Sequence, residues 1–336
     1  MSSQTNGLMV VVVVLNWNRG EDTVCCLESL CRQSYTNYSI VVVDNASTDD
    51  SRARIWHWAS EQTLLNDRRI QLTKSDLCDI NLLPIEQGDF FLVNAESNGG
   101  YAAGNNIGIR LGVSSNAKYV WLLNNDTELH EHALAELVAT AEKDNRMGMC
   151  GSLLVDYRKR EVIQAIGGVR FDIFRACGHQ IGNGAHLSQV QTAASIITYV
   201  AGASLLARTQ MIREIGPLEE RYFLYYEEID WARRAFRWNI GVAPQSIVYH
   251  KEGGTIGTRI SDGRSKLSQY YLVRNVLLFY FRFHRKLYIF AIIKVMKDIF
   301  AELAKGSGLA RISALALLDG LRQKSGAVTI DTINRQ

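Results

Sequence analysis

The chain has 336 residues, 47% of them hydrophobic and 21% charged, with only three prolines. That supplies apolar surface for one large core or two smaller ones and excludes a disordered or linker-rich chain. The net charge of +3 hides an asymmetry: Arg264 to Lys324 carries 12 Lys/Arg against 3 Asp/Glu, a balance of +9, and the remainder 25 against 31, a balance of −6. An acidic body thus precedes a basic, aromatic-rich tail.

In chain order, the apolar run Leu8–Leu15 has no basic segment before it and no small-residue cleavage site after it. It reads as a buried strand over Met9–Leu15 and not as a secretion signal. A helix follows over 20–33, then a strand over Ile40–Val43 ending at Asp44, a helix from Ser51 to about Leu65, and a strand over Phe90–Val93. Ala102–Leu111 is helical, Tyr119–Leu123 a strand ending at Asn124-Asn125-Asp126, and Ala133–Lys143 helical. This alternation predicts an α/β, doubly wound sheet. Ligands collect at the carboxyl ends of such strands, which puts Asn16, Asp44, Asn98 and Asp126 along one crevice. Beyond residue 150 the expected elements are strands over Gly151–Val155 and Val162–Phe174, strands within Ser195–Ala207, and a short helix at Met211–Ile215. A helix over Glu227–Trp238 and a short strand at Ile247–His250 follow. Six cysteines show neither CxxC spacing nor a disulfide framework, which fits reduced thiols in a cytosolic compartment.

Five stretches carry possible chemistry, each beside a structural alternative. Asp126 beyond a buried strand can hold Mg²⁺ or Mn²⁺ against a diphosphate, or cap a helix. Asp44-Asn45-Ala46-Ser47-Thr48-Asp49 can read a base and ribose, or form an Asx turn. Asn98-Gly99-Gly100-Tyr101-Ala102-Ala103-Gly104-Asn105 can bring backbone and a helix N-terminus to a phosphate or sugar, or be a packing turn. Tyr225-Tyr226-Glu227-Glu228-Ile229-Asp230 can hold a general base in a sugar-stacking pocket, or be an acidic helix start. His250, between a strand end and a glycine loop, can be a ligand or a structural histidine.

Taken in order, these stretches resemble family 2 glycosyltransferases, the inverting GT-A group, and within it the bacterial rhamnosyltransferase-like branch. The likeness also takes in Val12-Val13-Val14-Leu15-Asn16-Trp17-Asn18, Leu122-Leu123-Asn124-Asn125-Asp126-Thr127, Gly202-Ala203-Ser204-Leu205-Leu206 and Val248-Tyr249-His250. It runs from residue 9 to about 260, and Tyr271-Leu272-Val273-Arg274-Asn275 and Leu317-Leu318-Asp319-Gly320-Leu321 look like the tails of that branch. The resemblance implies a GT-A mixed sheet over 1–260, with a nucleotide-binding half at 1–126 and an acceptor-binding half at 127–260. A helical basic tail at 261–336 would associate with membrane. It also implies that Asp44, with Asn16 and Asn18, contacts the pyrimidine. Asn98, Gly99, Gly100, Asn105 and Asn125 complete the nucleotide-sugar site, Asp126 and His250 ligate Mg²⁺ or Mn²⁺, and Glu228 is the base with Asp230 as fallback. Asn124 stands where many members have Asp, and Glu228 is one methylene longer than the usual base. The implied donor is dTDP-L-rhamnose and the implied acceptor a polyprenyl-diphosphate-linked saccharide.

A nicotinamide oxidoreductase is disfavoured because no GxGxxG follows the first strand. The intact acid cluster and His250 disfavour a non-catalytic scaffold, and only the basic tail suggests nucleic acid. The longest apolar tail runs, Val276–Phe281 and Leu287–Ile293, fall short of the ~20 residues a span needs. Arg282, Arg285 and Lys286 interrupt them. The tail therefore suits a helix lying on an anionic surface at the cytoplasmic face of the plasma membrane, or a helix packed back on the catalytic domain.

Overall fold

The computed structural model describes residues 7–63, 65, 68–73, 75–78, 85–190, 197–251 and 265–328. Strand β1 (Val10–Asn16) lies at the centre of a large sheet, parallel to β2 (Tyr38–Asp44) on one side and to a strand over Tyr119–Asn124 on the other. Its alternation explains the position. Val10, Val12 and Val14 enter one core layer, beneath helices α1 (Gly20–Cys31) and α2 (Ser51–Glu61). Val11 and Val13 enter the opposite layer. A strand buried on both faces reads as a continuous β-branched run.

Outward from β2 come β3 (Arg69–Thr73) at the edge and β4 (Phe90–Asn94) between them, both parallel. Helix α3 (Gly100–Ser114) returns the chain to the Tyr119–Asn124 strand, which is β5, followed by β6 (Thr127–Leu129) and α4 (Ala133–Ala141). The second half adds β7 (Met147–Asp156), its partner β8 (Ile163–Ile166), and a small antiparallel sheet. That sheet comprises β9 (Gly168–Asp172), β10 (Cys177–Gln180) and β11 (Tyr199–Val200). Strand β12 (Ser204–Arg208) inserts antiparallel between β5 and β7. After α5 (Thr209–Ile215) and α6 (Glu227–Arg234), β13 (Asn239–His250) pairs parallel with β7 and antiparallel with β6. The large sheet is therefore mixed.

Several elements differ from the sequence reading. Half-exposed β3 and the short strands β6 and β10 were not expected. Helix α6 stops at Arg234 instead of Trp238. Strand β13 has 12 residues, with a register shift between Ala243 and Ile247 that takes up Pro244, so only its second part looked like a strand.

The tail forms α7 (Lys266–Phe283), α8 (Tyr288–Ala304) and α9 (Ala310–Leu321), and the three differ in burial. Helix α7 is buried almost all round and shares a core with Phe171, Tyr222 and Ile229 of the preceding α/β body and Ile312 and Ala316 of α9. It has taken the packed-back alternative. Helix α8 buries only Ala291 and Val295. No helix among the described residues is long and apolar enough to cross a membrane. Removing the tail would strip one wall from this core. A chain ending at Lys251 is expected to lose cooperative thermal unfolding and near-ultraviolet dichroism, and a sharp melt like that of the full chain would contradict this packing.

Candidate active site

The ends of β1 and β2 are joined by a buried polar network. Asn16 Nδ2 donates to Asp44 Oδ1 (2.8 Å) and to Ser47 Oγ (3.0 Å), while Asn16 Oδ1 accepts from Thr23 Oγ1 (2.8 Å). Asp44 Oδ2 accepts the Ser47 N–H at 3.0 Å. Asn18, at φ 53°, donates its N–H to Ser47 Oγ and accepts the Thr48 N–H on Oδ1. Asn125 Nδ2 closes the network on Thr23 Oγ1 at 2.9 Å. Asn16 and Asp44 are fully buried, so their amide and carboxylate fix the two βα loops.

The crevice itself has about 340 Å³ and is lined by Trp17, Asn45, Asn98, Gly100, Tyr101, Asn124 and Asn125, with Phe223 and Tyr271 opposite. The glycine stretch contributes shape here. The Gly99 N–H is taken by Asn45 Oδ1, the Gly100 N–H by Asn98 Oδ1, and the Tyr101 N–H by the Phe223 carbonyl. Gly100 has φ +84°, and a Cβ there would lie 2.0 Å from the Phe223 oxygen. The packing-turn alternative therefore describes Gly99 and Gly100. Asn105 donates to the Tyr101 carbonyl within α3 and is 1% exposed, so it does not reach the crevice.

A second cavity of about 340 Å³ shares Tyr101 and Asn124 with the first and holds Asp126, His250, Glu227 and Glu228. The sheet brings the distant pair together. His250 lies opposite Thr127 in the β13–β6 ladder, and the Lys251 N–H bonds the Asp126 carbonyl at 3.0 Å. His250 Nε2 is 3.3 Å from Asp126 Oδ1. Beyond this ion-pair contact, Asp126 Oδ1 is a buried acceptor without a hydrogen-bond partner. His250 Nδ1 lies 3.0 Å from Gln164 Oε1, and Gln164 Nε2 donates to the His250 carbonyl. With Nδ1–H donated to Gln164, Nε2 is directed at Asp126, and in the neutral imidazole it is the nitrogen left to meet a metal. Burial alone would raise the Asp126 carboxyl, but His250 and the Arg19 guanidinium hold it below its ordinary value. An orphaned carboxylate oxygen beside an oriented imidazole fits Mg²⁺ or Mn²⁺. No group of three or more metal-ligating side chains occurs among the described residues, so further ligands would come from substrate and water.

The carboxylates enter from the N-terminus of α6. A Cβ on Gly202 would meet Glu228 Oε1 at 2.2 Å, so glycine there leaves room for the carboxylate in its present position. Burial pushes the Glu228 carboxyl up to about 6. Burial and then the neighbouring Glu228 push Glu227 well above the usual carboxylate range, and its Oε1 has no hydrogen-bond partner. Two such groups in one cavity disfavour double ionisation. Asp230 stands elsewhere. It is fully buried, accepts from Arg234 Nε (2.7 Å), Arg282 (3.0 Å) and Tyr222 OH (2.9 Å), and does not line the cavity. This corrects the expectation that Asp230 could serve as a fallback base: its oxygens are committed to an ion-pair hub.

Residues 11–76 match the sequence model of Glycosyl transferase family 2. The low-salt glycan biosynthesis hexosyltransferase Agl10 of Haloferax volcanii is 24% identical over 238 residues, 70% of this chain and 64% of that protein. The chain thus spans under two thirds of that relative. Two solved structures superpose. One is the mannosyltransferase PcManGT of Pyrobaculum calidifontis in complex with GDP-Man and Mn²⁺, with TM-score 0.54, 14% identity, 93% of this chain and 86% of that one. The other is GalNAc-T7 with UDP, GalNAc and Mn²⁺, with TM-score 0.54, 15% identity, 84% of this chain and 49% of that one. The fold is GT-A.

Within the GT-A frame the structure gives individual places to residues that the sequence left without one. Gln164 orients His250, Trp17 and Tyr101 wall the crevice, and Glu227 faces the cavity. Trp17 sat inside a quoted motif and Glu227 beside Glu228, whereas nothing in the sequence marked Gln164. Asp126→Ala and His250→Ala are each expected to weaken Mn²⁺ binding at least about tenfold, read from the free-Mn²⁺ electron paramagnetic resonance signal with a nucleoside diphosphate present. Asp230→Ala is expected to cost about 3–5 kcal/mol of stability in urea unfolding, because it leaves two guanidinium groups without their buried partner. Its Mn²⁺ affinity should match that of the unaltered protein.

Proposed function

We propose that this chain is an inverting glycosyltransferase that moves a sugar from a nucleotide diphosphate onto an acceptor hydroxyl. The observation that carries the reading is the shared cavity: a base with a raised carboxyl, Glu228, lies in the same space as the Asp126–His250 pair and next to the Trp17–Asn98 crevice. The donor we propose is dTDP-L-rhamnose, supported by the motif order, and the acceptor a polyprenyl-diphosphate-linked saccharide.

In this reading the crevice takes the nucleoside, and Asp44, Asn16 and Asn18 hold its floor in shape. Asp126 and His250 would hold Mg²⁺ or Mn²⁺, which when bound neutralises charge on the departing diphosphate. Above pH 6 Glu228 is a carboxylate. It takes the proton of the acceptor hydroxyl as that oxygen bonds the anomeric carbon and the bond to the diphosphate oxygen breaks on the opposite face, so configuration inverts. Burial favours the neutral acid at Glu227, the form that can donate a hydrogen bond to a sugar hydroxyl.

A lipid-borne acceptor would be met at α8. Ile289, Phe290, Ile293, Met296, Phe300 and Leu303 form an outward apolar row, from 43% exposed at Ile293 and Met296 to 65% at Phe300. Lys286, Lys294, Lys297 and Lys305 flank it. That combination suits an interfacial helix on an anionic bilayer. Cys25, Cys26, Cys31, Cys150 and Cys177 are free thiols, which supports work at the cytoplasmic face.

A panel of nucleotide sugars with Mn²⁺ tests the activity, and turnover of none of them, with or without acceptor, would refute it. For the active donor, turnover should rise with pH through about 6 as Glu228 loses its proton. Glu228→Gln should lower turnover by about 10²–10⁴ and abolish that limb, leaving nucleotide affinity within about threefold. The paired change Phe290→Ser and Phe300→Ser should release the protein from phosphatidylglycerol vesicles in co-sedimentation. Unchanged binding, or none by either protein, would remove α8 from the membrane contact.

A further inference from the structure

The turn that delivers Glu227 and Glu228 is unusual. Phe223, Tyr225 and Tyr226 have φ of 66°, 65° and 79°, and bulky residues seldom adopt such values without being held there. No glycine relieves the turn, and most of its side-chain restraints come from α7. The Phe223 ring stacks on Tyr271 at 4.9 Å, Tyr225 OH donates to Ser268 Oγ at 3.1 Å, and Tyr226 packs against Phe279 at 5.6 Å. The backbone is caught as well. Asn275 Nδ2 shares its two hydrogens among the carbonyls of Tyr222 (2.9 Å), Leu224 (2.7 Å) and Tyr225 (3.0 Å). Arg274 Nε donates to Asn275 Oδ1 at 2.9 Å, which fixes the amide so that its NH₂ faces those carbonyls. The other arms of the guanidinium reach the Tyr222 carbonyl (2.8 Å) and the Gly326 carbonyl (2.7 Å).

We infer that Arg274 and Asn275 are a positioning clamp, through which α7 holds the Tyr222–Tyr226 turn and so sets where the Glu227 and Glu228 carboxyls stand in the cavity. Both clamp residues are buried, at 1% and 0% exposed, so neither meets solvent, lipid or substrate directly. The clamped turn also reaches the donor side, since the Phe223 carbonyl accepts the Tyr101 N–H at the start of α3. One turn therefore ties the nucleoside crevice to the carboxylates. The charged and titratable groups around them are Tyr101 from α3, Tyr199 from β11, Arg274 from α7, Asp230 within α6, Tyr225 and Tyr226 of the turn, and Asp126 and His250 in the same cavity. The role as a positioning pair for catalysis rests on the glycosyltransferase reading, whereas the control of carboxylate environment does not.

The test compares Asn275→Ala, the milder Asn275→Ser, and Leu277→Ala as a core control on the same helix, all in the full chain. The Glu carboxyls are followed by ¹³C NMR titration with selectively labelled glutamate, Glu228 being assigned by Glu228→Gln. The unaltered protein should titrate Glu228 near about 6. Asn275→Ala should move it toward the ordinary value of 4.5 as the turn relaxes into solvent. It should also lower kcat about a hundredfold, with KM for the nucleotide sugar within about threefold. Leu277→Ala should lower the melting temperature without moving either quantity. If Asn275→Ala does not fold, Asn275→Ser decides. A Glu228 titration and kcat unchanged in the folded Asn275 variants, or shifted equally by Leu277→Ala, would overturn the clamp. If the unaltered protein turns over no nucleotide sugar, the glycosyltransferase reading fails while the titration still decides the clamp.

Discussion

The antiparallel pairing of β13 with β6 is the contact on which the candidate site depends. It sets His250 opposite Thr127 and so brings its imidazole to 3.3 Å from Asp126 Oδ1, although the two lie far apart in sequence. The same sheet carries Asn124 at the end of β5 into both cavities. Without that ladder the body would retain a parallel half with a polar strand-end network, and the second cavity would lose the Asp126–His250 pair. The orphaned Asp126 oxygen is the local sign of this arrangement: burying an acceptor without a hydrogen-bond partner is costly unless something is meant to meet it.

Much of the parallel half was legible because each strand there is a short, apolar, β-branched run with Asn or Asp at its end. The edge strand β3 was not, since Arg69-Ile70-Gln71-Leu72-Thr73 is only half-buried and carries no continuous apolar signal. The first part of β13 was hidden by Pro244, which a bulge accommodates. In the acid cluster, helical phase held more information than composition. Asp230 and Arg234 are four residues apart on α6, the spacing of a salt bridge, and they make one. Glu228 lies on another face and reaches the cavity. The strand-end residues Asn16 and Asp44 were found from sequence, but their commitment to one another at 2.8 Å was not, because hydrogen bonds between separate loops leave no local pattern.

The tail illustrates how charge counting can mislead. Arg274 contributed to the basic balance of the tail, yet it is buried, with its guanidinium against the rings of Tyr270 and Tyr271 and its donors on backbone carbonyls. Arg282 likewise belongs to the ion-pair hub with Asp230 and Glu219. The basic, aromatic composition therefore divides between two tasks. Helix α7 builds the wall behind the carboxylates, and α8 turns an apolar row outward between lysines. A sequence periodicity buried all round and one buried on a single side are hard to separate when aromatic and basic residues alternate in both.

The central claim is that one cavity serves both a divalent cation and the Glu228 base. A crystal structure of the full chain with Mn²⁺ and dTDP tests it most directly. The account predicts a manganese anomalous peak within coordination reach of both Asp126 and His250, the thymine beside Trp17, and the Glu228 carboxyl facing the cavity beyond the diphosphate. Manganese bound away from that pair, or a nucleotide seated outside the Trp17–Asn98 crevice, would contradict it.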